Sequence, residues 1–216
     1  MAADCIRHAK PLIVPVLFPS MKKPAGRPVL LIIGGPNGAG KTTFAREYLT
    51  REMKGLRFLN TDEIARGLSP FDVDSVGFKA GRIFIQEVKG EIADGRSLAI
   101  ESTLSGKAHA KLIREAKEGG YLIRIHFLWI PSAQFSRKRV TQRTKQGGHD
   151  VPTDAIRRRF PRIFRNLVDL YLPLADEWKI WDSSEPPPKQ LANHTSHAIS
   201  SLAEFFGASL ENDKSP

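Results

Sequence analysis

A three-layer α/β fold, built on a mainly parallel sheet of about five strands, is predicted by three observations. Short apolar runs alternate along the chain with segments of helical periodicity. The first of these runs, residues 29–33, contains no polar residue, as a strand covered on both faces requires. A glycine-rich turn separates that run from the first helical segment. Strands joined through helices lie parallel with right-handed crossovers, and ligands then bind beyond the carboxyl ends of the strands.

Residues 1–27 mix proline, lysine and one short apolar run without a helical or strand period. They are read as a mobile arm ahead of a domain over 28–216, with Met21 as an alternative start. Residues 29–33 are the first strand and 41–53 the first helix. Residues 58–60 read as a short second strand, after which Asp62 and Glu63 open a helix whose first turn favours negative charge. Gly67 and Pro70 end it. Phe78, Ile83, Ile85, Val88 and Ile92 recur at near-helical spacing within 73–94, and Gly95 stops that helix before a strand over 98–100. A helix over 107–118, a break at Gly119 and Gly120, and a long strand over 121–129 follow. The last strand lies near 178–181, and Pro186, Pro187 and Pro188 read as a stiff turn before a C-terminal helix.

Composition excludes several classes. A single cysteine, Cys5, supplies neither a disulfide framework nor a cysteine-based metal site, which fits a reducing cytoplasm. The apolar stretch at 11–18 is too short to span a bilayer and two prolines interrupt it. Arg7 and Lys10 precede it as in a signal peptide, but no small-residue cleavage site follows. The net charge of +10 first suggests nucleic acid. Its distribution argues otherwise, because residues 137–166 hold ten Lys or Arg against Asp150 and Asp154, a local excess of +8.

The chemistry begins at Gly35-Pro36-Asn37-Gly38-Ala39-Gly40-Lys41-Thr42, followed by Thr43. An apolar strand enters this stretch and a helix leaves it, the context of a phosphate-binding loop whose backbone N–H groups curl around an anion. Lys41 is then placed for the β- and γ-phosphates of ATP and Thr42 for Mg²⁺. Asp62, at the end of the second strand, is either a carboxylate able to take a proton from an attacking hydroxyl or only a helix cap. Glu101 ends the strand over 98–100, where an acid can hold Mg²⁺ through a water, and Ser102 and Thr103 add hydroxyls beside it.

Residues 132–168 read as an Arg-rich helical lid, two helices flanking a turn at 147–152. Arginines delivered by such a segment stabilise charge on a transferred phosphoryl group and exclude water. On the second helix Ile156, Phe160, Ile163, Phe164 and Leu167 share one face, leaving Arg158, Arg162 and Arg165 opposite and Arg157 and Arg159 at the flanks. Pro161 should kink that helix. His149, beside the Gly147-Gly148 turn, reads as structural or incidental rather than as a ligand or base.

Taken together these stretches resemble the zeta-toxin family of P-loop kinases, the UDP-N-acetylglucosamine kinases. The carriers are residues 34–43, 58–62 and 100–106, and Gly147-Gly148-His149-Asp150-Val151-Pro152 with Ile156-Arg157-Arg158-Arg159-Phe160. The resemblance runs from about 28 to 184. It implies a P-loop fold, ATP and Mg²⁺ bound through Lys41 and Thr42, and Asp62 as the base that activates a sugar 3′-hydroxyl. Glu101 and Thr103 become sugar-nucleotide contacts. It also implies two lid arginines on the γ-phosphate, Arg143 and one of the Arg157–Arg159 run, with Arg158 and Arg159 as the candidates. Toxin members imply an antitoxin protein as partner. Pro161 and the N-terminal arm depart from the family pattern.

Three functions compete. The leading one phosphorylates a hydroxyl of a UDP-sugar, and the second keeps the fold with another small acceptor, a nucleoside, an antibiotic or a dinucleotide. The third is a nucleic-acid-binding ATPase using the basic segment, disfavoured because no aromatic-interleaved basic strand accompanies the charge.

Overall fold

The computed structural model describes residues 26–148 and 150–212, with side chains described through Gly207. The N-terminal arm up to residue 25, with Cys5 and Met21, and His149 lie outside the described residues. Among the described residues there are six strands: β1 (Val29–Gly34), β2 (Arg57–Leu59), β3 (Leu98–Ser102), β4 (Leu122–Trp129), β5 (Glu177–Asp182) and β6 (Lys189–Asn193). Their order across the sheet is β2-β3-β1-β4-β5-β6, parallel except for the antiparallel β5–β6 pair. The helices are α1 (Lys41–Glu52), α2 (Thr61–Leu68), α3 (Gly77–Ala93), α4 (Ala108–Glu118), α5 (Ala133–Lys145), α6 (Thr153–Asn166) and α7 (Ile199–Asn212).

Every residue of β1 is buried, as its unbroken apolar run requires of a strand with neighbours on both edges and helices on both faces. Its partners β3 and β4 carry much of the remaining sheet core, with Leu98, Ala99, Ile100, Ile123, Ile125 and Phe127 fully buried. The expected sheet of about five strands gains a sixth. The Pro186–Pro188 turn does not lead directly into the C-terminal helix but into β6, whose exposed Lys189, Gln190 and Leu191 leave little apolar pattern to read. The helix expected over 73–94 begins with a separate 3₁₀ turn, Asp74–Val76, before α3.

Pro161 does not interrupt α6, which runs unbroken from Thr153 to Asn166 and continues through a π turn at Leu167–Tyr171. Pro161 is exposed, so the carbonyl it leaves unpaired one turn earlier faces water. The opposite face is anchored: Phe160 and Phe164 stack edge-on at 5.0 Å, and Phe164 meets Phe127 of β4 and Phe206 of α7. One half of the Arg-rich segment is therefore bolted to the core.

Behind β4, His126 is fully buried against Phe44, Tyr48 and Trp181, and neither ring nitrogen has a partner among the described residues. Burial, aided by the nearby Lys179 and Arg124 cations, pushes its pKa down to about 3 from 6.5. The unfolded chain takes this proton near pH 6.5 and the fold refuses it until about pH 3. The fold therefore keeps this contribution in full above pH 6.5 and loses it progressively as pH falls toward 3. Urea unfolding between pH 7 and 4.5 should reveal a falling midpoint, and His126→Phe, which removes the titration without losing a hydrogen bond, should flatten that fall. An equally steep fall in the variant would assign it to other groups.

Candidate active site

The carboxyl ends of β1, β2 and β3 open into a cleft of about 830 Å³. The phosphate loop forms its floor, and its shape depends on close approach. Gly35 has φ 145° and a Cβ there would lie 2.5 Å from the Leu128 carbonyl oxygen. Gly38 has φ 73° with a Cβ position 2.9 Å from the Ser136 carbonyl, so α5 presses directly on the loop.

Side chains from outside the motif fix the loop. Ser136 Oγ donates to the Asn37 carbonyl at 2.6 Å and Ser183 Oγ to the Ala39 carbonyl at 2.7 Å. Arg139 stacks on Phe135 at 4.6 Å and donates to the carbonyls of Ser183 and Ser184 at 2.6 and 2.8 Å. Arg139 thus ties α5 to the end of β5 beside the loop. Nothing local in the sequence marks Ser136, Arg139 or Ser183 for this task, since their partners lie far away in the chain.

Lys41 is 7% exposed, its ammonium donating to the Pro36 carbonyl at 3.0 Å and lying 3.8 Å from Glu101 Oε1. Burial lowers its pKa, while Glu101 and Asp62 pull it back up and Arg143 lowers it further. Glu101 is the hub. Its Oε2 accepts from Thr42 Oγ1 and from Asn60 Nδ2, both at 2.8 Å, so one carboxylate oxygen joins the ends of β3 and β2 to the start of α1.

Asn60 also decides the status of Asp62. The cap of α2 is Asn60, whose Oδ1 accepts the Asp62 backbone N–H at 2.8 Å. The expected second strand accordingly ends at Leu59, one residue early, because Asn60 has become the cap. Asp62 is left with an exposed carboxylate that lines the cleft and has no hydrogen-bond partner among the described residues. An Asn two residues before an acid at a helix start is an N-cap signature.

The cleft brings together Lys41, Thr42, Asp62, Glu101, Thr103, Arg143 and Arg159. Of the loop residues, Asn37 and Gly38 line it too, Gly35, Pro36 and Ala39 are buried beneath it, and Gly40 and Thr43 are exposed outside it. Arg157 and Arg158 point to solvent and do not line the cleft, whereas Arg159 is half-buried. Docking of the Phe160 face into the core turns the third arginine of the run inward. The sequence reading did not single out Arg66, Asp74, His109 or Gln146, which also border the cleft. Among the described residues no cluster of three or more His, Cys, Asp or Glu could hold a metal, and no helix is long and apolar enough to cross a membrane.

Comparison with known proteins agrees with this geometry. An uncharacterised Haemophilus influenzae protein is 28% identical over 126 residues, 58% of this chain and 88% of that one. The structure of the PezAT chromosomal toxin–antitoxin system of Streptococcus pneumoniae superposes with a TM-score of 0.65 at 16% identity, covering 88% of this chain and 89% of that one. The AvrRxo1-ORF1:AvrRxo1-ORF2 complex, solved with sulphate ions, superposes at 0.64 with 18% identity, covering 84% of this chain and 63% of that one; it has also been solved with ATP. At these identities the likeness is one of fold. The model of the AAA domain family matches residues 30–164, well over half the chain. The chain belongs to the AAA domain family, and its α/β P-loop fold is the one it shares with the PezAT and AvrRxo1 structures.

Proposed function

We propose that this protein is an ATP-dependent phosphotransferase that phosphorylates a hydroxyl of a small acceptor, a UDP-sugar such as UDP-N-acetylglucosamine at its 3′-hydroxyl. The observation that carries the reading is the Asp62 carboxylate, relieved of capping by Asn60 and facing the same cleft as Lys41, Arg143 and Arg159. ATP as donor is supported by the phosphate loop and by the ATP structure of the AvrRxo1 complex.

In this reading the phosphate loop and Lys41 hold the triphosphate, and Arg143 and Arg159 meet the γ-phosphoryl oxygens from the lid side. Asp62 accepts the proton of the acceptor hydroxyl as its oxygen bonds to the γ-phosphorus; the bond from that phosphorus to the β,γ-bridging oxygen breaks and ADP leaves. Thr42 and Glu101 suit Mg²⁺ because a hydroxyl and a carboxylate oxygen meet 2.8 Å apart at the head of α1. Thr42 and Glu101 would hold the ion there, and when bound it would supply neutralisation of the phosphate charge. Thr103, bordering the same cleft, is assigned to the sugar nucleotide.

Incubation with ATP and a panel of nucleotide sugars, nucleosides and aminoglycosides, read by mass spectrometry for a gain of one phosphate, tests the assignment. Phosphate gained only on a nucleoside or antibiotic would move the acceptor class. A protein antitoxin as partner is a further part of the reading, supported by the toxin–antitoxin system of the Streptococcus structure.

The lid arginines make a separate prediction. Arg143→Ala and Arg159→Ala should lower kcat by about tenfold or more with a smaller change in KM for ATP, because transition-state contacts register in kcat. Arg158→Ala, outside the cleft, should behave as wild type. A raised KM for ATP with unchanged kcat would make Arg143 and Arg159 ground-state binders.

A further inference from the structure

Beside the phosphate loop, where Leu104 packs against Gly34 at the end of β1, the segment after β3 is unusually well fixed. Leu104 is fully buried at φ 58°, an uncommon conformation for a non-glycine residue. Asn166 Nδ2 donates to its carbonyl at 3.0 Å, and Tyr171 Oη donates to the next-but-one carbonyl, that of Gly106, at 2.6 Å. The bend brings the Leu104 N–H onto Ser102 Oγ at 3.0 Å, and the same hydroxyl lies 3.1 Å from Nδ1 of His109 on the first turn of α4. Phe84 holds the imidazole edge-to-face at 5.5 Å.

These contacts select a tautomer. Leu104 N–H takes one lone pair of Ser102 Oγ, and the hydroxyl proton needs an acceptor of its own. Among the described residues the only acceptor within reach is His109 Nδ1. A proton on Nδ1 would leave the Ser102 hydroxyl with no protein acceptor among the described residues. Nδ1 therefore accepts, and the ring proton sits on Nε2, which is not among the sealed, unpartnered polar atoms, on a residue that lines the cleft. Burial lowers the ring's pKa, so the imidazole is uncharged at neutral pH. An uncharged donor reads an oxygen acceptor without attracting the anionic phosphates of the donor nucleotide.

We propose that His109 is a specificity-determining residue, held by Ser102 so that its Nε2–H donates a hydrogen bond to a carbonyl or hydroxyl oxygen of the phosphoryl acceptor. The assignment rests on the phosphotransferase reading above and adds the side chain that selects the acceptor. Thr103 and Ser105, hydrogen-bonded to one another at 2.9 Å, complete an uncharged, hydroxyl-rich wall beside it. Such a wall suits a polyhydroxylated neutral group better than a second anion.

Two measurements test it. The first is ¹⁵N NMR of the imidazoles in the ligand-free wild-type protein, with His109 assigned by its absence in His109→Gln. A neutral ring protonated on Nε2 at pH 7 is expected, and a proton on Nδ1 overturns the proposal whatever the substrate. The second is steady-state kinetics with whichever acceptor of the panel the wild type phosphorylates. His109→Ala should raise KM for the acceptor roughly tenfold, with kcat and KM for ATP within about threefold. His109→Gln, which restores an N–H donor, should recover most of that loss, and Ser102→Ala should lie between the two. An unchanged acceptor KM, or a fall in kcat with a lower melting temperature, makes His109 a structural residue and overturns the proposal. A wild type that phosphorylates none of the panel overturns the phosphotransferase reading and with it the acceptor role of His109, whereas a proton on Nδ1 overturns the His109 proposal and leaves that reading standing.

Discussion

Asp62→Asn is expected to lower phosphorylation of the acceptor by about 10²–10⁴-fold while preserving ATP binding. The substitution keeps the shape of the side chain and removes its ability to take a proton. Because Asn60 supplies the cap of α2, its Oδ1 accepting the Asp62 N–H at 2.8 Å, an amide at position 62 disturbs no hydrogen bond of the helix start. The remaining electrostatic cost is small for an exposed carboxylate at a first turn, a few tenths of a kcal/mol from the helix dipole. A general base and a structural acid therefore give widely separated outcomes. Turnover with the acceptor, ATP affinity by calorimetry and a melting curve on one preparation distinguish them. A rate loss below about tenfold with native melting would remove the catalytic assignment.

Lys41→Ala should lose turnover by about 10²–10³-fold or more, the scale on which one preorganised charge contact to a reacting oxygen counts. The fold should survive. Lys41 contacts a loop carbonyl and the rim of Glu101 rather than the apolar core, and Glu101 keeps its hydrogen bonds from Thr42 and Asn60 when the ammonium is gone. A buried cation whose pKa burial pulls down is held at a cost, and a phosphate anion in the cleft relieves it. ATP affinity should consequently fall together with the rate, unlike in Asp62→Asn. Wild-type turnover in the variant, with any acceptor, would defeat the role of the loop lysine.

Much of the frame was legible because it is written in local periodicity. The run at 29–33, its glycine-rich exit and the amphipathic face of Ile156, Phe160, Ile163, Phe164 and Leu167 each carry their own pattern, and all of these apolar residues are buried. The sixth strand is illegible in the sequence for the converse reason. An antiparallel edge strand with three exposed residues has no face to betray it, and its pairing with β5 supplies its order.

The sequence alone therefore determined the kind of fold, the phosphate loop and the set of acids and arginines available to a site. Tertiary structure decided which of them meet. Asn60 and Thr42 reach Glu101 across separations of 41 and 59 residues, and no spacing rule links them before the strands pair. Arg159 rather than Arg158 enters the cleft because burying Phe160 and Phe164 fixes the rotation of α6, and a change of one residue turns a side chain about 100° around a helix. Likewise His109 acquires a defined donor only when the bend at Leu104 brings Ser102 beneath it. Local pattern follows from the chain's own geometry, whereas the pairing of polar groups follows from the packing of apolar ones, which is settled only in three dimensions.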